Sequence, residues 1–285
     1  MLGKENAFRG CNPSTVKSAR VRRWWVNLEG DNLSKNPRTG LLGVKAILFD
    51  LFDTLLLVRA GINLGESCLK NVYEFLSANG VRVSYEDFRR AYSEVRSRLY
   101  ERISVNLEEP HYSLRISEVL KRLGYDCDLK DPLVRGAVNA YSEEFVRHIC
   151  PDEEASLVLS RLYECGYKIG VISNFSIPEC ARNLIEKYGL REFLDVIVIS
   201  AEINRRKPSP EIFNFTLNLL GVSVSESIFV GDTPDVDIRG AKNIGMRTVL
   251  IGRKNSNISE EDKPDFTIKR LGELLNLLAI ENYRI

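Results

Sequence analysis

The chain has 285 residues, and its 40 lysines and arginines nearly balance its 39 aspartates and glutamates. This length allows a large buried core and two domains, while the balanced charge predicts no general attraction to nucleic acid or to a membrane surface. The six cysteines lack the spacing of a metal site or a disulfide framework, and neither a membrane-spanning apolar run nor a secretory signal is recognisable, so we expect a cytoplasmic protein.

Residues 1–43 differ from the rest of the chain, because basic residues outnumber acidic ones, Pro and Gly recur, and both tryptophans, Trp24 and Trp25, occur here. One interpretation is a basic, aromatic arm that binds nucleic acid or a partner subunit. The other is a disordered extension, or translated sequence upstream of the true start. The second is favoured because the basic residues show neither helical nor strand periodicity. We therefore treat the segment as an N-terminal extension outside the core and expect no nucleic-acid partner.

The core begins at about Val44, where the apolar run Ala46–Phe49 leads directly into Asp50. Such a run is typical of a strand buried on both faces of a parallel sheet, and ligands bind just beyond the carboxyl ends of these strands. Asp50 is therefore a candidate functional residue. Taken alone, Asp50 and Asp53 could instead be helix caps.

From residue 59 to residue 148 the pattern is helical. Apolar residues recur every three or four positions in four segments: Cys68–Leu76, Phe88–Leu99, Ile116–Leu123 and Val134–Phe145. This spacing predicts four amphipathic helices that form a small bundle. The bundle interrupts the core, which comprises residues 44–58 and 149–285.

After the bundle, strands and helices alternate. The predicted strands are Lys168–Ile172, Val196–Ile199, Ser227–Val230 and Arg247–Ile251, and the closing helix is Lys269–Leu278. Right-handed crossovers fold such a chain into a three-layer α/β/α, Rossmann-like parallel sheet. Ser173 and Asn174 follow one strand, Asp232 and Asp237 follow another, and Lys207 lies in a loop between them. With Asp50, these residues predict an acidic site for a metal ion and a phosphate group.

These segments resemble the haloacid dehalogenase superfamily of hydrolases in four ordered motifs. The motifs are Asp50 to Thr54, Ser173, Lys207 followed by proline, and Gly231-Asp232 with Asp237. Their order and their positions at strand ends make the signal specific. The resemblance extends from about residue 44 to the C terminus. It implies that the helical bundle, residues 59–148, is a cap domain that closes over the site and determines substrate specificity.

The resemblance implies a Mg²⁺-dependent phosphatase of a small phosphorylated metabolite, with a phosphoaspartyl intermediate on Asp50. Chemistry supports this implication, because a carboxylate can attack phosphorus and hard oxygen ligands suit Mg²⁺. The implied metal ligands are Asp50, Asp232 and the backbone carbonyl of Phe52. The implied phosphate-binding residues are Thr54, Ser173, Asn174 and Lys207, with Lys207 also catalytic and Asp237 in support.

One position departs from the phosphatase pattern. Family phosphatases usually have a second Asp two residues after the nucleophile, which protonates the leaving group, whereas this chain has Phe52 there. We interpret Asp53 as a turn or cap residue, since adjacent side chains point in different directions. Two alternatives follow: a 2-haloacid dehalogenase, whose halide leaves without a proton, or a non-catalytic protein that binds a phosphorylated ligand. Phosphoryl chemistry is favoured, because the carboxylates that follow Gly231 would repel one another without a cation.

Overall fold

The computed structural model describes residues 41, 43–253 and 258–280. Nearly all of the predicted N-terminal extension, residues 1–43, lies outside the described residues, so its interpretation stays a prediction. The described strands are β1 (Ala46–Phe49), β2 (Leu56–Val58), β3 (Ile149–Pro151), β4 (Lys168–Ser173), β5 (Val196–Ile199), β6 (Ser227–Gly231), β7 (Arg247–Ile251) and β8 (Phe266–Ile268). The described α-helices are α1 (Leu64–Ala78), α2 (Tyr85–Asn106), α3 (Tyr112–Arg122), α4 (Pro132–Arg147), α5 (Ala155–Glu164), α6 (Pro178–Lys187), α7 (Ser200–Ile203), α8 (Pro210–Leu220), α9 (Arg239–Asn243) and α10 (Glu273–Leu277).

Six of the strands form one parallel sheet in the order β5-β4-β1-β6-β7-β8. The central strand β1 is buried at every position, and its alternate side chains enter two separate apolar clusters. Ile47 and Phe49 belong to the larger cluster, which includes residues of α5 and α6, whereas Ala46 and Leu48 pack with residues of α8 and α9. This alternation places helical layers on both faces of the sheet, because successive strand residues point to opposite faces. The predicted Rossmann-like α/β fold is confirmed.

The four predicted helices between the first and second motifs are present as α1 to α4. Helix α1 packs closely against α4, and α2 against α3. The two helices approach closely at Gly136 of α4, where an added Cβ would lie 2.0 Å from the ring of Phe75 in α1. The chain enters the helical insertion through β2 and leaves it through β3, and these two short strands pair antiparallel. Sequence periodicity missed the pair because each strand is only three residues long.

Two features near the C terminus differ from the sequence-based prediction. The closing helix begins at Glu273 rather than at Lys269. The residues before it turn instead, because the backbone amide of Gly272 and the guanidinium of Arg270 both donate to the carboxylate of Glu154. The edge strand β8 is not among the strands predicted from the sequence. In the described part of the chain, no helix is both long enough and apolar enough to cross a lipid bilayer.

Candidate active site

Asp50 lies at the carboxyl edge of the sheet, directly after the central strand β1. Its backbone amide donates to Val230 of β6 at 2.9 Å, so the strand pairing continues to the residue that carries the carboxylate. The neighbouring strands β4 and β6 end at the same edge, with Ser173 and Gly231 as their last residues. The sheet topology therefore brings three predicted motifs together, as expected for parallel strands.

Lys207 is fully buried and forms the centre of the site. Its Nζ lies 2.5 Å from Oδ1 of Asp50 and 2.8 Å from Oδ1 of Asp237. The side chain of Asn174 holds the backbone of this lysine in two hydrogen bonds, accepting from the Lys207 amide at 2.8 Å and donating to its carbonyl at 2.9 Å. The Asn174 side chain is thus engaged in positioning Lys207, which leaves its backbone amide for the phosphate contact predicted from the sequence.

Three carboxylates converge beside this lysine. Asp50, Asp232 and Asp237 each place an oxygen within 4.8 Å of the others. Asp237 Oδ2 accepts from the backbone amides of Asp232, at 3.1 Å, and Thr233, at 3.0 Å. Glycine is required at position 231 because an added Cβ would lie 2.5 Å from the same oxygen. Asp237 therefore fixes both the lysine and the loop, while Asp50 and Asp232 supply oxygens beside it.

The charges of the site are strongly coupled. Burial raises the pKa of Asp50 to about 7; the Lys207 ammonium opposes this rise, and the carboxylates of Asp237 and Asp232 add to it. Burial alone would lower the pKa of Lys207, but Asp237 and Asp50 outweigh it and raise that pKa, so the lysine stays protonated. Two carboxylates thus share one ammonium group, and the carboxylate of Asp232 lies close to both of them. Such an arrangement favours a further cation, since hard divalent ions take carboxylate oxygens as ligands.

Two buried hydroxyl groups at the site lack a hydrogen-bond partner within the described residues. They are Oγ of Ser173, at the end of β4, and Oγ1 of Thr54, in the turn after Asp50. An unpaired buried hydroxyl costs about 1–3 kcal/mol, so native proteins rarely retain one without a ligand or water. Both residues were predicted to bind phosphate, and an anionic ligand would supply the acceptors that they lack.

Phe52, which occupies the usual position of the acid, belongs to an aromatic cluster. Its ring lies 5.3 Å from that of Phe145 on α4 and 4.9 Å from that of Phe175 after β4. The next residue, Asp53, lies in a turn with a left-handed φ of 58°, a conformation that aspartate tolerates better than most residues. The aromatic cluster joins the helical insertion to the core beside Asp50. Sequence analysis missed Phe145 and Phe175, because neither belongs to a motif.

The connection between α2 and α3 also contacts the core near Lys207. The backbone amide of Tyr112 donates to Ser176 at 2.8 Å, and that of Arg206 donates to Leu107 at 3.0 Å. The guanidinium of Arg206 lies 3.3 Å from the buried carboxylate of Glu109. Residues of the insertion thus lie against the segments that carry the second and third motifs.

Comparison with known proteins identifies the family of the chain. The model of the haloacid dehalogenase-like hydrolase family matches residues 78–251. The glyceraldehyde 3-phosphate phosphatase of Methanopyrus kandleri is 33% identical over 241 residues, covering 82% of this chain and 97% of that protein. The chain belongs to the haloacid dehalogenase-like hydrolase family, as the four motifs predicted, and it is a hydrolase.

Solved structures show the same fold. The haloacid dehalogenase-family phosphatase from Thermococcus onnurineus is 28% identical and covers 84% of this chain and 100% of its own, with a TM-score of 0.62. The 2-haloacid dehalogenase from Pseudomonas syringae pv. Tomato DC3000 is 24% identical and covers 83% of this chain and 98% of its own, with a TM-score of 0.64. This second likeness concerns the fold alone.

Proposed function

We propose that the protein is a Mg²⁺-dependent phosphatase of a small phosphorylated metabolite that acts through a phosphoaspartyl intermediate on Asp50. The observation that carries this proposal is the buried Lys207 between Asp50 and Asp237, with Asp232 close by. The phosphatase from Methanopyrus kandleri, similar over nearly its whole length, supports phosphoryl chemistry.

In the proposed reaction, Asp50 attacks phosphorus, so that a new P–O bond forms as the bond to the leaving alcohol breaks. Water then cleaves the acyl phosphate and regenerates the carboxylate. Lys207 offsets negative charge on the transferred group, and the hydroxyl of Ser173 donates to one of its oxygens. Asp50, Asp232 and the Phe52 carbonyl would hold Mg²⁺, whose charge reduces repulsion between nucleophile and phosphate.

The proposal assigns the helical insertion, residues 59–148, the role of a cap. The aromatic contact of Phe52 with Phe145 would exclude water from the site when substrate is bound. Because a phenyl ring transfers no proton, we expect slow turnover, or a substrate whose leaving group needs no protonation. A cytoplasmic location stays a sequence-based prediction.

The test is phosphate release from p-nitrophenyl phosphate and from glyceraldehyde 3-phosphate, with Mg²⁺ and with a chelator. Metal-dependent release is expected, and Asp50→Asn should abolish it while leaving the folded structure intact. Asp53→Asn is the matched control, because it makes the same change in the adjacent turn. Full turnover by Asp50→Asn would show that the nucleophile is another residue.

The second candidate is a 2-haloacid dehalogenase, which Phe52 favours because halide leaves without a proton. The clustered carboxylates weigh against it, since displacement of halide from carbon needs no divalent cation. Halide release from 2-chloropropionate in the presence of a chelator would support this candidate. If neither phosphate nor halide were released, a non-catalytic role in binding a phosphorylated ligand would be the remaining interpretation.

A further inference from the structure

The helical insertion contains a polar cavity that the proposed reaction does not use. Its volume is about 750 Å³, and residues from the start of α1 and from α2, α3 and α4 line it. Four of the lining residues are arginines, namely Arg89, Arg90, Arg96 and Arg115. The residues that line it do not include those of the Asp50 site. We refer to it as the arginine cavity.

In the part of the chain that the structure describes, three of these arginines belong to no ion pair, although Arg115 acts at longer range on the buried carboxylate of Glu109, which itself pairs with Arg206. Within the described residues, Arg89, Arg96 and Arg115 form no ion pair, whereas Arg98 of the same helix α2 pairs with Glu118 of α3. Arg98 and the arginine cavity thus lie on two different faces of the α2–α3 pair. On one face the guanidinium charge is neutralised by a carboxylate, and at the arginine cavity it is not.

Arg115 is the most enclosed of the three. Its Nη1 donates to the hydroxyl of Tyr92 at 3.1 Å, and the rings of Tyr92, Tyr100 and Tyr112 lie 5.3–5.8 Å from its guanidinium carbon. These aromatic faces stabilise the charge, but they leave the N–H groups along its edge to be satisfied otherwise. Nε is buried without a hydrogen-bond partner, and Nη2 forms no hydrogen bond within the described residues.

Nε and Nη2 form one edge of the guanidinium, the fork that binds a carboxylate or a phosphate through two parallel hydrogen bonds. A buried donor without an acceptor is costly, so an unpaired fork beside a cavity indicates a ligand that supplies the acceptors. Arg96, whose guanidinium lies 5.1 Å from the Tyr100 ring, adds a second unpaired positive charge to the same cavity.

Two glutamates also line the cavity, but they do not reverse its charge. Glu66 accepts a hydrogen bond from the hydroxyl of Tyr85 at 2.6 Å, and Glu86 lies in the first turn of α2. Arg90 lies 3.3 Å from Asp87 and contributes little net charge. The three unpaired arginines therefore outnumber the two glutamates, and the cavity favours an anion over a cation.

We infer that the arginine cavity binds the phosphate or carboxylate group of a small organic anion, with Arg115 forming two hydrogen bonds to it and Arg96 adding charge. The cavity is separate from the Asp50 site. Tyr141 lines the cavity, its ring lies 6.1 Å from that of Phe145, and Phe145 contacts Phe52 beside Asp50. An anion there would be either the far end of the hydrolysed substrate or an independent effector.

The test is a calorimetric titration of the whole chain with phosphonoacetate, which carries a phosphonate and a carboxylate and cannot be hydrolysed. The chain should bind it, and Arg115→Gln should weaken binding about tenfold, the effect of losing a charge-assisted bidentate contact. Arg96→Gln, at an exposed position where folding is not at risk, should weaken it by a smaller factor. Arg98→Gln is the matched control and should bind like the unaltered chain.

Turnover distinguishes the two sources of the anion. If the cavity holds the far end of the substrate, both cavity variants raise the ratio of KM for phosphoglycolate to KM for p-nitrophenyl phosphate. If the anion is an independent effector, the ratio stays constant while phosphonoacetate binding still falls. The inference is wrong if the chain does not bind phosphonoacetate at millimolar concentration, or if both variants bind it unchanged. The titration needs no turnover, so its failure is separate from failure of the proposed phosphatase activity.

Discussion

Replacement of Lys207 by methionine tests the electrostatic account of the site most directly. Methionine fills a similar volume without charge, so the variant leaves Asp50 and Asp237 facing each other without the ammonium between them. Both carboxylates are buried, and water therefore replaces the lost charge poorly. Without a divalent cation, the variant should be markedly less stable than the unaltered chain.

The size of the loss follows from the geometry. Two unit charges 4.8 Å apart, the outer limit for oxygens of these carboxylates, repel by about 3–4 kcal/mol at an effective dielectric constant of about 20. Removal of one partner from a buried ion pair typically costs about 3–5 kcal/mol, which agrees. We expect the loss in the free energy of unfolding to approach about 3–5 kcal/mol in mildly alkaline solution, above the raised pKa of Asp50, and to be smaller at neutral pH, where Asp50 is already partly protonated.

The loss should depend on pH in a defined direction. The folded-state pKa of Asp50 is already raised from 3.8 to about 7, and removal of the lysine raises it further. A group whose pKa is higher in the folded than in the unfolded state binds protons preferentially when folded, so stability increases as pH falls through the folded-state value. The deficit of the variant should therefore be largest in alkaline solution and shrink as pH falls toward about 7, because below that value Asp50 is protonated in both proteins.

The assay is urea denaturation followed by circular dichroism, in the presence of a chelator. Lys168→Met is the matched control, because this exposed lysine donates to the backbone carbonyl of Leu220, forms no ion pair within the described residues and should change stability by less than about 1 kcal/mol. Lys207→Met combined with Asp237→Asn should recover part of the loss, since one of the facing charges is removed. Equal stability of Lys207→Met and the unaltered chain in mildly alkaline solution, where Asp50 of the unaltered chain is charged, would refute the account of repulsion between buried carboxylates.

Further predictions concern positioning, packing and pH. Asn174→Ala removes both hydrogen bonds that hold the backbone of Lys207. The variant should still fold, but its kcat for p-nitrophenyl phosphate should fall about 10- to 100-fold. An unchanged kcat would contradict a positioning role. Gly136→Ala should destabilise the chain by about 1–3 kcal/mol in urea titrations, because its Cβ overlaps a ring of α1, whereas Gly65→Ala, with no atom nearer than 3.9 Å, should be neutral or stabilising. Hydrogen bonding by Ser67 lowers the pKa of Glu144 from 4.5 to about 2, so Glu144→Gln should reduce stability at neutral pH. That deficit should disappear as pH falls toward 2, and a deficit that grew in acid would contradict this assignment.

The sequence was informative wherever a local pattern determines a structure. Uninterrupted apolar runs predicted the strands β1, β4, β5, β6 and β7, and three- to four-residue spacing predicted α1 to α4. Strands of three residues, such as β8, carry too few positions for any periodicity to be recognised. The closing helix was predicted too long because Glu154, far away in sequence, binds the residues before it.

The candidate site divides in the same way. The sequence by itself determined which polar groups stand at the carboxyl ends of strands, because a buried strand followed by a polar residue is a local feature and parallel strands end at one edge. Only the tertiary structure decided what those groups contact. Lys207 reaches Asp50 across 157 residues of chain, Asn174 holds the backbone of that lysine, and Phe52 packs against a ring of the helical insertion. Side-chain contacts, burial and the pKa values that follow from them depend on which distant segments meet, and no local pattern encodes that meeting.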